Sequence, residues 1–273
     1  LHQLAPVAKE EEWQILKQHY QSMYFFESHA LNQSHFVTIE LTHIYRQNDE
    51  VFISLLNKVR HRVLDAESVS LLNSRYQPKL SPEQSNGYIH LTTHNYAAQA
   101  INKSRLDALR GKSYWFKAEI TGDFPEPSYP NEFNLELKIG AQIMFVRNDL
   151  KDRLYFNGKL GVITAILTEE NLIKVKCEGE TQDIHVGISS WDNIKYELNE
   201  NKEIAEQVIG QFSQFPIKPA WAITIHKSQG LTFEKAIIDA QSSFAHGQVY
   251  VALSRCKTLE GLILSTPIQA SSI

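Results

Sequence analysis

Cysteine is scarce in this sequence: Cys177 and Cys256 are the two in 273 residues. Their separation matches no metal-ligand spacing, which excludes a disulfide scaffold or a zinc module, and a reducing, cytoplasmic setting is expected. No apolar run approaches the length of a membrane span, so no membrane partner is expected. Surplus positive charge is also missing. Lys plus Arg total 27 against 31 Asp plus Glu, a net charge of −4, which excludes holding a polyanion by bulk charge and makes any nucleic-acid contact local. HExxH, paired CxxC and GxSxG are absent, removing zincin, thiol-redox and serine-hydrolase chemistry. A phosphate-cradling GxxxxGK[S/T] loop is absent too. Gly111-Lys112-Ser113 has Leu106 where that loop needs glycine, and it follows a predicted helix, so it reads as a helix end and turn. The first residues, Leu1 to Val7, carry neither an initiator Met nor a basic-then-apolar leader, and the expectation is a chain cut from a longer polypeptide.

What is present is a 42% apolar content, enough for a core, and no internal repeat or low-complexity tract. Trp13, Leu16, Lys17 and Tyr20 predict a helix over 10–23, and residues 36–41 predict a strand. Asn48-Asp49 caps a predicted helix over 50–62 with Phe52, Leu55, Leu56 and Val59 on one face. A strand at 88–91 and a helix at 96–109 follow. The texture then turns β-rich, with predicted strands at 142–147, 160–166, 172–177 and 181–186 separated by turn signals such as Asn157-Gly158 and Glu178-Gly179. Such short, evenly spaced strands predict a small barrel or sandwich. The end reverts to α/β: helix 219–229, strand 235–239, helix 247–254 and strand 261–264. The simplest organisation is a β-module inserted into one α/β domain.

Three segments carry candidate chemistry. In Ala220-Trp221-Ala222-Ile223-Thr224-Ile225-His226-Lys227-Ser228-Gln229-Gly230, a helix would place Thr224, Lys227 and Ser228 on one face suited to phosphodiester oxygens. The same pattern also describes an ordinary amphipathic helix with a glycine cap. In the segment 247–255, Arg255 ends an apolar helix, either as a partner of the helix dipole or as a finger toward a transferring phosphoryl group. Thr42-His43-Ile44-Tyr45-Arg46-Gln47 has the same ambiguity.

In order, these segments resemble the C-terminal half of superfamily 1B DNA helicases, the PIF-type and RecD-like 5′→3′ enzymes. Gln3-Leu4-Ala5-Pro6-Val7 is similar to the end of helicase motif III, with Ala5 where the family has its first proline. Glu11-Glu12-Trp13 and Tyr24-Phe25-Phe26 stand where the family has a Trp-bearing helix and an aromatic strand. Residues 41–47 resemble motif IV, 91–102 the motif between IV and V, 224–231 motif V, and 249–255 with 259–262 motif VI and its tail. Residues 137–142 and 157–161 resemble an inserted Src-homology-type barrel.

The resemblance implies an α/β fold: the second RecA-like (P-loop NTPase-type) helicase domain, with a parallel sheet, interrupted by that barrel. The first part of the domain would span 1–113, the β-barrel 114–215 and the remainder 216–273. Gln3 would sense the γ-phosphate, Arg46 and Arg255 would reach it across an interdomain cleft, and Gln229 and Gly230 would border the nucleotide. Thr92, Thr93, Asn95, His226, Lys227 and Ser228 would hold the single-strand backbone without reading sequence. The implied activity is ATP-dependent unwinding of DNA, with ATP and Mg2+ as cofactors, the Mg2+ ligands and Walker segments on an N-terminal RecA-like domain upstream of Leu1, and no metal ligands in this chain. The isolated chain is expected not to hydrolyse ATP, and a monomer acting on single-stranded DNA and duplex junctions is expected. The motor half of a conjugative relaxase or exonuclease alpha subunit, and a non-catalytic module whose barrel binds protein partners, are the alternatives. Tyr155, Phe156 and Trp191 would stack bases or pack the barrel, and Lys159 would reach a phosphate or be solvated.

Overall fold

In the computed structural model, which describes residues 10–39, 43–81, 83–198, 204–239 and 247–269, the chain begins with helices α1 (Glu10–Leu16), α2 (His29–Asn32), α3 (Glu50–His61) and α4 (Ala66–Asn73). Helix α3 follows directly from its sequence. The Asp49 side chain accepts from Phe52 N at 3.1 Å, and Phe52, Leu55, Leu56 and Val59 are buried at helical spacing. Arg62 ends it in the left-handed conformation, φ 59°.

The segments before α3 depart from expectation. Helix α1 stops at Leu16, because Ile15 and Leu16 are exposed and no packed face prolongs it. Tyr24-Phe25-Phe26 is not a strand: Phe25–Glu27 is a 3-10 turn, and the Tyr24 and Phe26 rings stack 5.1 Å apart. Residues 36–39 are irregular, with Phe36, Val37 and Ile39 exposed and unpaired with any described strand; residues 40–42 lie outside the described part.

Strand β1 (Ile89–Thr92) leads into α5 (Asn95–Ala108). Then come β2 (Tyr114–Lys117), β3 (Glu119–Gly122), β4 (Asn134–Leu137), β5 (Gln142–Phe145), β6 (Leu160–Leu167), β7 (Leu172–Lys176), β8 (Ile184–Val186), β9 (Ser189–Leu198), β10 (Ile204–Gln214) and β11 (Ile217–Pro219). The chain finishes with β12 (Ala222–Thr224), β13 (Ala236–Ile238), α6 (Gln248–Leu253) and β14 (Leu262–Leu264).

The elements before β2 and after β11 share one parallel sheet, in the order β12-β1-β13-β14. Strands β12, β13 and β14 are buried at every position, so they read as short apolar runs rather than as alternating ones. Phe52, Leu72, Ile89, Leu91, Leu253 and Leu264 belong to the core around this sheet. The intervening residues form antiparallel sheets: β11-β5-β6-β7-β8, β3-β10-β9 and the pair β2-β4. A second core, including Leu135, Ile143, Phe145, Val175, Phe215 and Ile217, gathers residues of the five-stranded sheet and of the β2-β4 pair. Among the described residues no ladder joins β8 back to β11, so the five strands form an open sheet.

Gln142 joins the two parts. Its side-chain amide donates to Tyr88 O at 3.0 Å and Ala220 O at 2.9 Å and accepts from Gly87 N at 3.2 Å. A buried amide with both ends satisfied holds the antiparallel sheet against the approaches to β1 and β12.

Candidate functional site

Two connections leave the C-terminal edge of the parallel sheet side by side. Thr92 and Thr224 are partners in the β1–β12 ladder, and Ile225 N donates to Thr92 O at 2.8 Å. The chain then runs into Thr93-His94-Asn95 on one side and the 225–230 turn on the other. Open parallel sheets bind ligands outside this edge, where successive loops converge.

The predicted helix over 219–229 does not form. Residues 217–219 and 222–224 are strands, and a turn follows. Asn102 decides this locally: its Oδ1 accepts from Trp221 N and Ala222 N, each at 2.8 Å, and its Nδ2 donates to Ala222 O at 2.9 Å. The Ser228 hydroxyl donates to Ile225 O at 2.7 Å, a local bond that stabilises the turn. Gly230 adopts φ 81°; no heavy atom crowds its missing Cβ, so backbone conformation rather than close approach calls for glycine there.

The expected face of aligned donors is therefore absent. Ser228 is fully buried and Thr224 is 4% exposed, its hydroxyl accepting from Lys227 N at 3.3 Å. Lys227 is exposed and His226 and Gln229 are half-buried. On the β1 side the Thr92 hydroxyl is also turned inward, donating to His94 O at 3.2 Å. Thr93 Oγ1 lies 2.7 Å from His94 Nδ1, and Asn95 is exposed at the start of α5. A cavity of about 250 Å3 opens here, lined by His90, Thr92, His94, Tyr96 and Asp239 among others. Burial and the nearby Arg105 push the His90 pKa down to about 4.

A second cluster forms where α6 ends. Arg255 is 2% exposed, with Nε on Val251 O at 2.9 Å and Nη2 on Ser254 Oγ at 2.8 Å, while its buried Nη1 has no hydrogen-bond partner among the described residues. The Nε contact is the helix-terminus role foreseen for this arginine; the unpartnered Nη1 is the further capacity. Arg46 donates from Nε to Thr232 Oγ1 at 2.9 Å and from Nη1 to Ser254 O at 3.2 Å. Burial, and next the Arg46 charge, lower the Arg255 pKa to about 10, which leaves it a cation at neutral pH. Gln47 donates to Ser254 O at 3.1 Å and Cys256 O at 2.8 Å, gripping the backbone on both sides of Arg255. Two guanidiniums gathered at one point, one with an unsatisfied buried N–H, fit an anionic oxygen cluster such as a polyphosphate.

The sequence assigned no role to Gln47, Asn102 or Thr232, although Gln47 and Asn102 are the last residues of two matched motifs and Thr232 directly follows a third. Gln3 lies outside the described residues. Among the described residues no cluster of His, Cys, Asp or Glu can hold a metal. Both thiols are buried, with pKa values raised to about 11 for Cys177 and about 12 for Cys256 mainly by loss of water. Tyr155 stacks on Phe145 at 4.2 Å and Trp191 packs edge-on to Phe212 at 6.1 Å, whereas Phe156 is exposed. Lys159 is neither solvated nor outstretched: it donates to Leu154 O and pairs with Glu180.

No protein-family model matches the chain. The ATP-dependent DNA helicase Pif1 of Campylobacter jejuni is 32% identical over 265 residues, 93% of this chain and 58% of that protein. The crystal structure of Bacteroides sp. Pif1 in complex with ADP-AlF4 superposes with a TM-score of 0.87 at 39% identity, covering 100% of this chain and 62% of that one. The chain's homologues are Pif1 helicases. It matches a C-terminal part of them and spans about three-fifths of the length of these two relatives. The mixed α/β architecture, a parallel sheet with several antiparallel ones, is that of Pif1 structures. Bacteroides Pif1 bound to ssDNA superposes less closely, with a TM-score of 0.68 at 40% identity and coverage of 100% and 62%. The unliganded form of that Pif1 matches as closely as the ADP-AlF4 form, with a TM-score of 0.87 at 39% identity and coverage of 99% and 62%, so the arrangement of elements described above is nearer to the forms without DNA.

Proposed function

We propose that this chain supplies the second RecA-like domain, residues 1–113 and 220–273, with an open β-sheet module inserted at 114–219 in place of the expected barrel ending at 215, because β11 pairs with β5, to an ATP-dependent 5′→3′ DNA helicase that couples ATP hydrolysis to translocation on single-stranded DNA and to duplex unwinding. The observation that carries it is the convergence of Arg46 and Arg255 with the unpartnered Arg255 Nη1. Support comes from the ADP-AlF4 and ssDNA complexes of homologous Pif1.

On this reading Arg46 and Arg255 meet the terminal phosphate of ATP from across a cleft, with Gln229 and Gly230 along its border. Guanidiniums match phosphoryl oxygens bidentately and neutralise the charge spread over them. ATP with Mg2+ supplies the transferable phosphoryl group; the phosphate-cradling loop and the metal ligands belong to a partner RecA-like domain, as does the setting for Gln3. Arginines on one domain and phosphates on the other couple hydrolysis to cleft closure. At the sheet edge, Thr93, Asn95, His226 and Lys227 contact sugar-phosphate backbone without reading bases, while Thr92 and Ser228 act by shaping the two turns. Local contacts of this kind let an acidic chain grip DNA. The protein works in the cytoplasm, where its substrates are single strands and duplex junctions.

The test is hydrolysis of ATP, with and without a single-stranded oligonucleotide, by the gene product that carries this chain. Arg255→Ala is expected to lower the turnover by about 10²-fold or more and to leave oligonucleotide affinity within about twofold. The 273 residues alone are expected to show no turnover. Full activity in either preparation would overturn the assignment.

A further inference from the structure

The 225–230 turn and the arginine pair are joined by the three residues that follow the turn. Leu231 N donates to Ser228 O at 3.0 Å, closing the turn. The next residue, Thr232, accepts the Arg46 Nε hydrogen at 2.9 Å. The one after, Phe233, donates from its N to Arg255 O at 2.9 Å and accepts from Lys257 N at 3.1 Å. The Phe233 bonds are main-chain and do not depend on which side chain is present, proline apart. The Thr232 hydroxyl is the side-chain link in this run.

We propose that Thr232 is a positioning residue that ties the setting of Arg46 to the state of the 225–230 turn. The proposal rests on the functional reading above and concerns how its two halves communicate. A guanidinium is a rigid planar fork, and two fixed donors define its plane. Arg46 is held at Nε by Thr232 and at Nη1 by the Ser254 carbonyl. A strand that displaces Lys227 or His226 moves Leu231 and Thr232 through the short turn, and the hydroxyl carries that motion into the plane of Arg46. Without the hydroxyl, Arg46 keeps only the Ser254 carbonyl as an anchor and swings about it. The arginine then remains present but is misplaced when the turn is occupied.

Thr232→Val preserves shape and removes the acceptor; Thr232→Ser preserves the acceptor. The experiment measures ATP hydrolysis with and without oligodeoxythymidine, and oligonucleotide affinity, in the gene product that carries this chain. Thr232→Val is expected to lower the DNA-stimulated turnover about tenfold with affinity unchanged within about twofold, and Thr232→Ser to restore it to within about threefold. In an Arg46→Ala background, Thr232→Val is expected to add no further loss, because the hydroxyl acts through that arginine. Wild-type stimulation in Thr232→Val, equal impairment in Thr232→Ser, or an additional loss in the double variant would each overturn the proposal. Wild-type turnover in Arg46→Ala would overturn both the proposal and the functional reading beneath it, which separates the two failures.

Discussion

Asn102 brackets Ala222: its side chain accepts from the Ala222 N–H and donates to the Ala222 carbonyl, at 2.8 and 2.9 Å. Strand β12 is the edge of the parallel sheet, so on its outer side these groups have no neighbouring strand, and an amide projecting from α5 replaces one. The same Oδ1 accepts from Trp221 N. The strand from which the 225–230 turn springs is thus held on its inner side by β1 and on its outer side by a side chain 120 residues away.

Asn102→Leu is expected to destabilise the protein by about 2–4 kcal/mol, because it leaves these main-chain groups without partners in a half-buried setting. Urea denaturation is the measurement. Asn102→Asp, which keeps the acceptor and loses the donor, is expected to fall between Leu and wild type; a Leu variant as stable as wild type would refute the clamp.

Gln47→Leu strips the bonds to Ser254 O and Cys256 O. The expected cost is about 1–3 kcal/mol in stability, together with loss of DNA-stimulated hydrolysis beyond what the stability change explains. Thermal melting and turnover on the same preparation separate the two effects.

Gly158 sits at φ 98°, and a Cβ there would come within 2.9 Å of Leu231 Cδ2. Gly158→Ala is expected to cost about 2 kcal/mol or more, combining left-handed backbone strain with the clash. Leu231 closes the 225–230 turn, so the variant should also weaken oligonucleotide binding. Unchanged binding would show that the β-module's hairpin does not set the turn.

His90 has its pKa lowered to about 4, chiefly by burial. A histidine whose folded pKa lies below its unfolded value binds fewer protons when folded. Its contribution is fully present above about pH 6.5 and is lost as pH falls through about 4, about 3 kcal/mol in all. His90→Gln should flatten the stability profile across that window in pH-dependent melts. An unchanged slope would refute the assignment.

Much of this architecture was legible in the residues. Asp49 and the Phe52-Leu55-Leu56-Val59 spacing specified α3, turn signals separated β5 to β8, and the ordered motifs pointed to the helicase family, because periodicity, capping and motif order are local or one-dimensional properties. The sequence also singled out Arg46 and Arg255 as candidate phosphate contacts. It could not tell strand from helix in Ala222-Ile223-Thr224-Ile225, since a short apolar run fits a buried strand and a buried helix alike. Pairing with β1 and the Asn102 amide made that choice. Nor could it direct the Ser228 hydroxyl inward or assign Gln47 and Thr232, whose partners lie 207 and 186 residues away. Composition and order determined what kind of protein this is. Only the tertiary structure decided which donors are spent inside the fold and which, like Arg255 Nη1, are left without a partner, because hydrogen-bond satisfaction depends on groups that meet only when the sheet has formed.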